Sequence, residues 1–318
     1  MRVAVWEYFC SGAAEIPGEL KTIQAEGLMM LRAVVNDLVR SQLADVEVVF
    51  DESLMPFPNK SARVTIAEPS SFEELAIEVA RRSDCVLVIA PETDAILEQH
   101  YDLVSRTNAR WCGVNVEAIR LCADKLQTYE RLKNAGVPTI ATSLFSGQNP
   151  GYPFVVKPRF GAGCESTFVY RTEEDSTSVV RSDNLIVQPF VVGQTFSVAA
   201  VKTNADWVVL PPVRQHIEGA RELQYVGGSL EIPGEQTEAI EAVVLETLQA
   251  VEARQGWLGI DFIRDDPGAI RVVDINPRLT TSYAGYRTAT QANLAESLIG
   301  IETAISWEPG CFEFQKSD

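Results

Sequence analysis

The chain has 318 residues, 46% hydrophobic and 22% charged, with a formal net charge of −17. That is enough apolar material for a sizeable core in two or three domains, and it argues against a low-complexity or disordered chain. A protein this acidic repels nucleic acid and anionic membrane unless a basic patch offsets it, and the sequence shows none.

Residues 2–9 read as a buried strand. Residues 25–43 read as a helix, with Leu28, Leu31, Val35, Leu38 and Val39 on one face. Residues 46–50 and 63–67 are short apolar runs. Ser71 and Glu74 predict a capping box ahead of a helix to about Arg82. Residues 84–90 contain Val86, Leu87, Val88 and Ile89 and predict a strand buried on both faces. A helix from about Asp94 and a strand over 111–115 complete an alternation that predicts a parallel sheet covered on both sides.

A long helix is predicted over 117–134, stopped by Gly136 and Pro138. The pattern then changes. Strands over 154–157, 166–170, 185–190 and 196–201 with hairpin-length connections predict antiparallel pairing. A helix over about 236–254 precedes a last hairpin with arms 258–264 and 270–275, joined by Asp265, Asp266, Pro267 and Gly268 as the turn. The fold class is therefore α/β: a parallel α/β domain over 1–115, then an α+β region that starts near residue 116.

Cysteines 10, 85, 112, 122, 164 and 311 form no CxxC pair, and the isolated His100 and His216 give no zinc spacing. Reduced thiols in a cytoplasmic protein are expected. The charged start, Met1 to Glu7, does not suit a signal peptide, and no run of about 18 apolar residues suits a membrane span.

The last hairpin carries the most chemistry. Asp274 and Asn276 are two apart on one arm and share a face, with Asp261 roughly level on the other arm. Two carboxylates and an amide oxygen are ligands that magnesium or manganese prefers, with phosphate oxygens and water completing the shell. Arg278 follows, placed for an anionic reaction centre. Upstream, a strand ends in Lys157 and leads to Gly161, Gly163 and Ser166, a loop whose amides can approach polyphosphate. It is not a Walker loop, since the GK[ST] ending is missing. Alone it reads equally as a hairpin turn with a surface lysine. Residues 185–193 form an apolar strand entering a glycine turn, able to sandwich and pair with adenine.

In this order the segments resemble the ATP-grasp superfamily over about residues 100–300. The resemblance implies ATP and magnesium as cofactors and an acyl-phosphate route to an amide. It matches Lys125 and Lys157 to the two phosphate lysines, 161–166 to the phosphate-covering loop, and Gln188, Phe190 and Val191 to the adenine hinge. It matches Asp261, Asp274 and Asn276 to the metal ligands, and Arg278 to the arginine that steadies the acyl phosphate. Residues 1–115 become the domain that precedes the grasp domain, and the two-lobed α+β grasp domain divides into a small lobe with a linking helix over 116–191 and a large lobe with the metal site over 192–318. Gln188 stands where glutamate is usual, Thr195 where an acidic residue holds the ribose, and Asp274 where glutamate is commoner.

Trp6, Glu7, Tyr8, Ser11, Gly12 and the run 26–30, with 214–217 and 225–228, resemble the tyramine–glutamate ligase family. That likeness implies glutamate and an aromatic amine as small-molecule partners, in methanofuran or methylofuran biosynthesis. Glu26, Arg214, His216, Tyr225 and Arg287 become substrate candidates. His216 reads either as a contact beside the acceptor or, equally, as a partly exposed histidine on a strand or loop. Tyr283, Tyr286, Trp6 and Tyr8 are expected to supply aromatic surface near the reaction centre, although core packing is their commoner fate. Competing readings are a carboxylase activating bicarbonate and a nucleotide-binding module without chemistry. Homodimerisation is left open.

Overall fold

The computed structural model describes residues 1–147, 150–173, 184–233, 238–266 and 268–316. Five strands make the first sheet: β1 (Arg2–Glu7), β2 (Asp45–Asp51), β3 (Arg63–Ala67), β4 (Cys85–Ile89) and β5 (Arg110–Trp111). Their order is β3-β2-β1-β4-β5, parallel throughout. Helices α1 (Lys21–Ser41), α2 (Phe72–Arg81) and α3 (Ile96–Ser105) form the connections. β4 is buried at every position, as a strand covered on both faces must be. The two-residue alternation of β1 sends Val3 and Val5 into the core beneath α1, and Ala4 and Trp6 into the core beneath α2.

Local chemistry altered several predicted boundaries. β1 stops at Glu7, and a 3-10 turn, Tyr8–Cys10, follows. Ser71 does sit at the N-cap of α2, but its hydroxyl accepts from the Glu68 amide at 3.2 Å instead of closing a capping box. The strand expected over 111–115 ends at Trp111, whose indole donates to the carbonyl of Val114 at 2.8 Å. The helix expected over 117–134 is two, α4 (Val116–Ala123) and α5 (Lys125–Asn134). Between them Asp124 is extended (φ −107, ψ 101), and its carboxylate accepts from the amides of Leu126 and Gln127 while pairing with Arg159 at 2.6 Å. An N-cap acid with an arginine partner outweighs the helical propensity that would carry the chain straight through.

The second sheet is antiparallel. Its strands are β6 (Ser143–Leu144), β7 (Phe154–Pro158), β8 (Thr167–Tyr170), β9 (Leu185–Pro189), β10 (Gly193–Lys202), β11 (Trp207–Val209), β12 (Val213–Glu218), β13 (Glu222–Ile232), β14 (Trp257–Asp265), β15 (Ile270–Asn276) and β16 (Gly310–Gln315). The main path runs β15-β14-β10-β12-β13-β8-β7-β9-β6, with β11 on β10 and β16 on β13. Helices α6 (Glu238–Ala250), α7 (Ser282–Thr288) and α8 (Leu294–Leu298) complete the chain. The expected helix start at Gln236 and Pro267 of the expected turn lie outside the described residues.

Strands β6 to β9 have their own small core of Phe145, Phe154, Val156, Tyr170 and Val187. They join the larger lobe at a short pairing of β8 with β13, Glu222 opposite Phe168 and Leu223 opposite Thr167. The larger lobe shares both of its cores with the parallel domain: Trp257, Tyr283 and Tyr286 pack with Val5 and Leu31, and Phe262 and Val272 with Trp6 and Ala76. A cleft results, with a separately packed lobe on one side and the fused domains on the other. No helix among the described residues is long and apolar enough to cross a membrane.

Candidate active site

The cleft holds a cavity of about 570 Å³. Its floor is the β14–β15 hairpin. Asp261 stands opposite Asp274, and Gly259 opposite Asn276, so Asp274 and Asn276 share the face that meets Asp261. The Asn276 amide donates to Asp261 Oδ2 at 3.1 Å, and Gln215 donates to Oδ1 at 3.1 Å. Burial, then the neighbouring Asp274, pushes the Asp261 carboxyl up to about 6, against hydrogen bonds from Ser197 and Asn276.

Two facing carboxylates at this depth call for a cation. Part of the call is met by Lys125 at the first position of α5, whose Nζ donates to both Asp274 oxygens at 2.7 and 2.6 Å. Burial lowers the Lys125 ammonium, but Asp274 and Glu92 outweigh it and the net shift is upward. The break at Asp124 is what aims this lysine into the cleft. Hard oxygen donors fit magnesium or manganese. Among the described residues no group of three or more His, Cys, Asp or Glu side chains is placed to hold a metal ion. A metal held by Asp261, Asp274 and Asn276 would leave positions open for phosphate oxygens and water.

Lys157 near the end of β7 is 7% exposed and lies on the cavity. Burial and Lys125 lower its ammonium, and Asp274 opposes them. The loop after it also lines the cavity through Gly161 and Gly163. Gly163, Cys164 and Ser166 are left-handed, at φ +68, +66 and +49, which turns the backbone sharply there. Ser166 itself falls outside the lining. At the other end Phe190 and Val191 present apolar surface, with the Arg171 guanidinium 4.8 Å from the Phe190 ring. Gln188 reaches the lining, but its amide donates to Thr142 Oγ1 at 2.8 Å. The Thr195 hydroxyl donates to the carbonyl of Gln215 at 3.2 Å.

Arg278 reaches the cavity two residues past Asn276. Its Nε donates to Glu92 Oε2 at 2.9 Å. Glu92 was missed in the sequence, where it belongs to no motif. The one available signal was its place just after a fully apolar strand, at the carboxyl edge of a parallel sheet, where ligands gather.

The substrate candidates divide. Glu26, Arg214 and Tyr225 lie on the cavity. Glu26 pairs with Lys316 at 3.0 Å, Arg214 stands 6.0 Å from the Phe196 ring, and Tyr225 accepts from Thr281 Oγ1 at 3.3 Å. His216 is not brought to the lining; its Nε2 is 3.2 Å from Ser229 Oγ. Arg287 is also outside, clamping Asp37 of α1 through bonds of 2.9 and 2.8 Å. The aromatic surface expected from Trp6, Tyr8, Tyr283 and Tyr286 is not there. Trp6 is buried and donates to His100, Tyr8 packs on Phe9 and His100, Tyr283 donates to Asp37, and Tyr286 donates to the carbonyl of Pro211. Rings beside buried polar acceptors satisfy both body and tip in the core. Phe190, Tyr225 and Phe262 line the cavity instead.

Another carboxyl feels the charge of Arg278. Glu7 is fully buried, and Oε2 has no hydrogen-bond partner among the described residues. A Cβ on Gly27 would come within 2.4–2.6 Å of its carboxyl atoms, so α1 passes here only because residue 27 is glycine. Burial pushes Glu7 up to about 8, against hydrogen bonds from Cys10 and Phe9 and the charge of Arg278. The group holds its proton more tightly folded than unfolded. Its contribution to stability is complete below the ordinary value of 4.5 and is lost as pH rises through about 8. Glu7→Gln is therefore expected to melt above the parent at pH 9 by on the order of 5 °C, with little difference at pH 4.5. A melting difference that does not change between those two pH values defeats the assignment.

Residues 122–282 match the model of the ATP-grasp domain, and residues 44–119 that of the pre ATP-grasp 3 domain. The tyramine–L-glutamate ligase of Methanocaldococcus fervens is 25% identical over 301 residues, covering 93% of this chain and 92% of its own. That of Methanocaldococcus jannaschii is 26% identical over 290 residues, covering 88% and 84%. An ATP-grasp superfamily protein of Archaeoglobus fulgidus has a similar structure, with a TM-score of 0.76 at 21% identity over 98% of this chain and 91% of that one.

Proposed function

Because the chain belongs to the ATP-grasp family, as a ligase that forms carbon–nitrogen bonds, we propose that it joins the γ-carboxylate of L-glutamate to the amine of tyramine or tyrosine, in biosynthesis of a methanofuran-type or methylofuran-type cofactor. One observation carries this reading: two tyramine–L-glutamate ligases align with it over most of both chains.

The chemistry balances in two displacements. A carboxylate oxygen attacks the γ-phosphorus of ATP, the bond to the β-phosphate oxygen breaks, and ADP leaves. The amine nitrogen then attacks the acyl carbon, the carbon–oxygen bond to phosphate breaks, and nitrogen gives up one proton. Lys157 and the amides of the glycine loop spread charge on the transferring group. Asp261, Asp274 and Asn276 would hold magnesium or manganese, which when bound neutralises phosphate charge. Arg278 steadies the acyl phosphate, and Phe190 and Val191 hold the adenine. Glu26 and Tyr225, on the cavity with Arg278, offer an ammonium partner and a phenol partner to the substrates.

ADP formation with glutamate present is expected to rise about tenfold or more with tyramine or tyrosine compared with ammonia or alanine. Equal stimulation by all four amines sinks the aromatic acceptor and leaves the ligase standing. Turnover that needs bicarbonate and no amine makes the chain a carboxylase, and nucleotide binding without any turnover makes it a sensor.

A further inference from the structure

Arg278 enters the cavity from the large lobe, yet it is gripped from the other domain. Its Nε donates to Glu92 Oε2 at 2.9 Å, and Nη1 donates to the carbonyl of Leu279 at 3.3 Å. Two edges of the guanidinium are held, and the side chain, 13% exposed, lines the cavity. Glu92 comes three residues after β4, at the carboxyl edge of the parallel sheet, and its side chain is 1% exposed. The neighbouring strand β1 ends there too, with Glu7 opposite Ile89. Glu92 Oε1 and Glu7 Oε2 each lack a hydrogen-bond partner among the described residues.

Such a site is a poor device for stability. Burying a carboxylate with one oxygen unpaired is unfavourable, and an apolar pair of similar volume often does as well or better. What the ion pair supplies is direction. A free arginine samples many rotamers on its long stem, whereas one fixed along the Nε edge presents its remaining donors one way. The grip also comes from the domain that supplies Glu26, so the large lobe and the parallel domain are registered on the same arginine.

We infer that Glu92 is a positioning residue: by gripping the Nε edge of Arg278 it aims the guanidinium at the transferring phosphoryl group, so that the parallel domain completes the reaction centre. This rests on the reading of Arg278 as the arginine that steadies the acyl phosphate. Glu92 is absent from the cavity lining, and its hydrogen bond is to Arg278. An ion pair with a purely structural role changes the melting temperature without being coupled to Arg278 in the rate.

A double-mutant cycle on the full chain separates the two. The four enzymes are the parent, Glu92→Gln, Arg278→Ala and the double variant. The rates are ADP formation and acyl phosphate trapped with hydroxylamine. Glu92→Gln keeps the volume and an acceptor oxygen. It is expected to bind MgATP within about twofold of the parent by calorimetry and to lose on the order of 30-fold in trapped acyl phosphate. In the Arg278→Ala background it is expected to lose nothing further. Glu92→Asp, which keeps the charge, runs the same cycle if the amide variant fails to fold. Equal losses in both backgrounds overturn the inference and leave the role of Arg278 intact, as does a change confined to melting temperature. Parental turnover in Arg278→Ala removes the role of Arg278 and the inference with it.

Discussion

Asp274→Asn is expected to abolish turnover in a protein that still folds. The hairpin carrying it is held by its backbone ladder and by Ile260, Phe262, Val272 and Ile275, all buried. The asparagine oxygen can still accept from the Ile275 amide, which donates to Asp274 Oδ1 at 3.0 Å, and from Lys125. What disappears is a negative charge. Lys125 then keeps a neutral partner in place of a carboxylate, and stability falls by about 1–3 kcal/mol, a few degrees of melting temperature. On the proposed assignment a metal held there would lose one of two carboxylates, in a site expected to stabilise the transferring phosphoryl group by several kcal/mol, so the rate is expected to fall on the order of 1,000-fold or more. ADP formation titrated against magnesium measures it. The rise in melting temperature that MgATP gives the parent is expected to shrink in the variant. A parental rate at ordinary magnesium would mean that Asp274 holds no metal.

The two architectures were legible because their signals are periodic. Unbroken apolar runs such as 86–89 occur where a strand is covered on both faces, and the last hairpin announced itself through its alternation and turn residues. The shared face of Asp261, Asp274 and Asn276 was legible for the same reason, since a spacing of two on a strand fixes a common side. What stayed hidden depends on partners remote in sequence. The break at Asp124 needs Arg159, 35 residues on, to compete with a helical pattern that runs on through Asn134. Arg287 looks like a residue of the reaction centre until Asp37, 250 residues earlier, claims it. Tyr283 carries the same ambiguity: a ring near a metal strand reads as substrate surface or core, and only the position of the Asp37 carboxylate decides. Glu92 was invisible because a lone acid after a strand acquires meaning only when another domain brings an arginine to it.

Lys157→Met is expected to cost roughly 100-fold or more in turnover and to raise the melting temperature of the nucleotide-free protein. Both follow from one asymmetry. Lys125 has a carboxylate of its own, bonded through both oxygens of Asp274, whereas no ion pair links Lys157 to a carboxylate among the described residues. An ammonium only 7% exposed and beside a second lysine is an unfavourable thing to bury, and burial lowers its affinity for the proton. Methionine is of similar length and apolar, so it relieves that burden without opening a void, worth about 1–2 kcal/mol or a few degrees. The lysine earns its place only when an anion arrives between it and the glycine loop. Its charge then meets the transferring phosphoryl group without reorganisation, and losing one such preorganised donor costs about 100-fold or more in rate. Melting without nucleotide and ADP formation at saturating glutamate and amine measure the two halves. Lower stability with unchanged ATP kinetics would make Lys157 a structural lysine. A higher melting temperature together with a collapsed rate is the signature of a charge kept for the triphosphate.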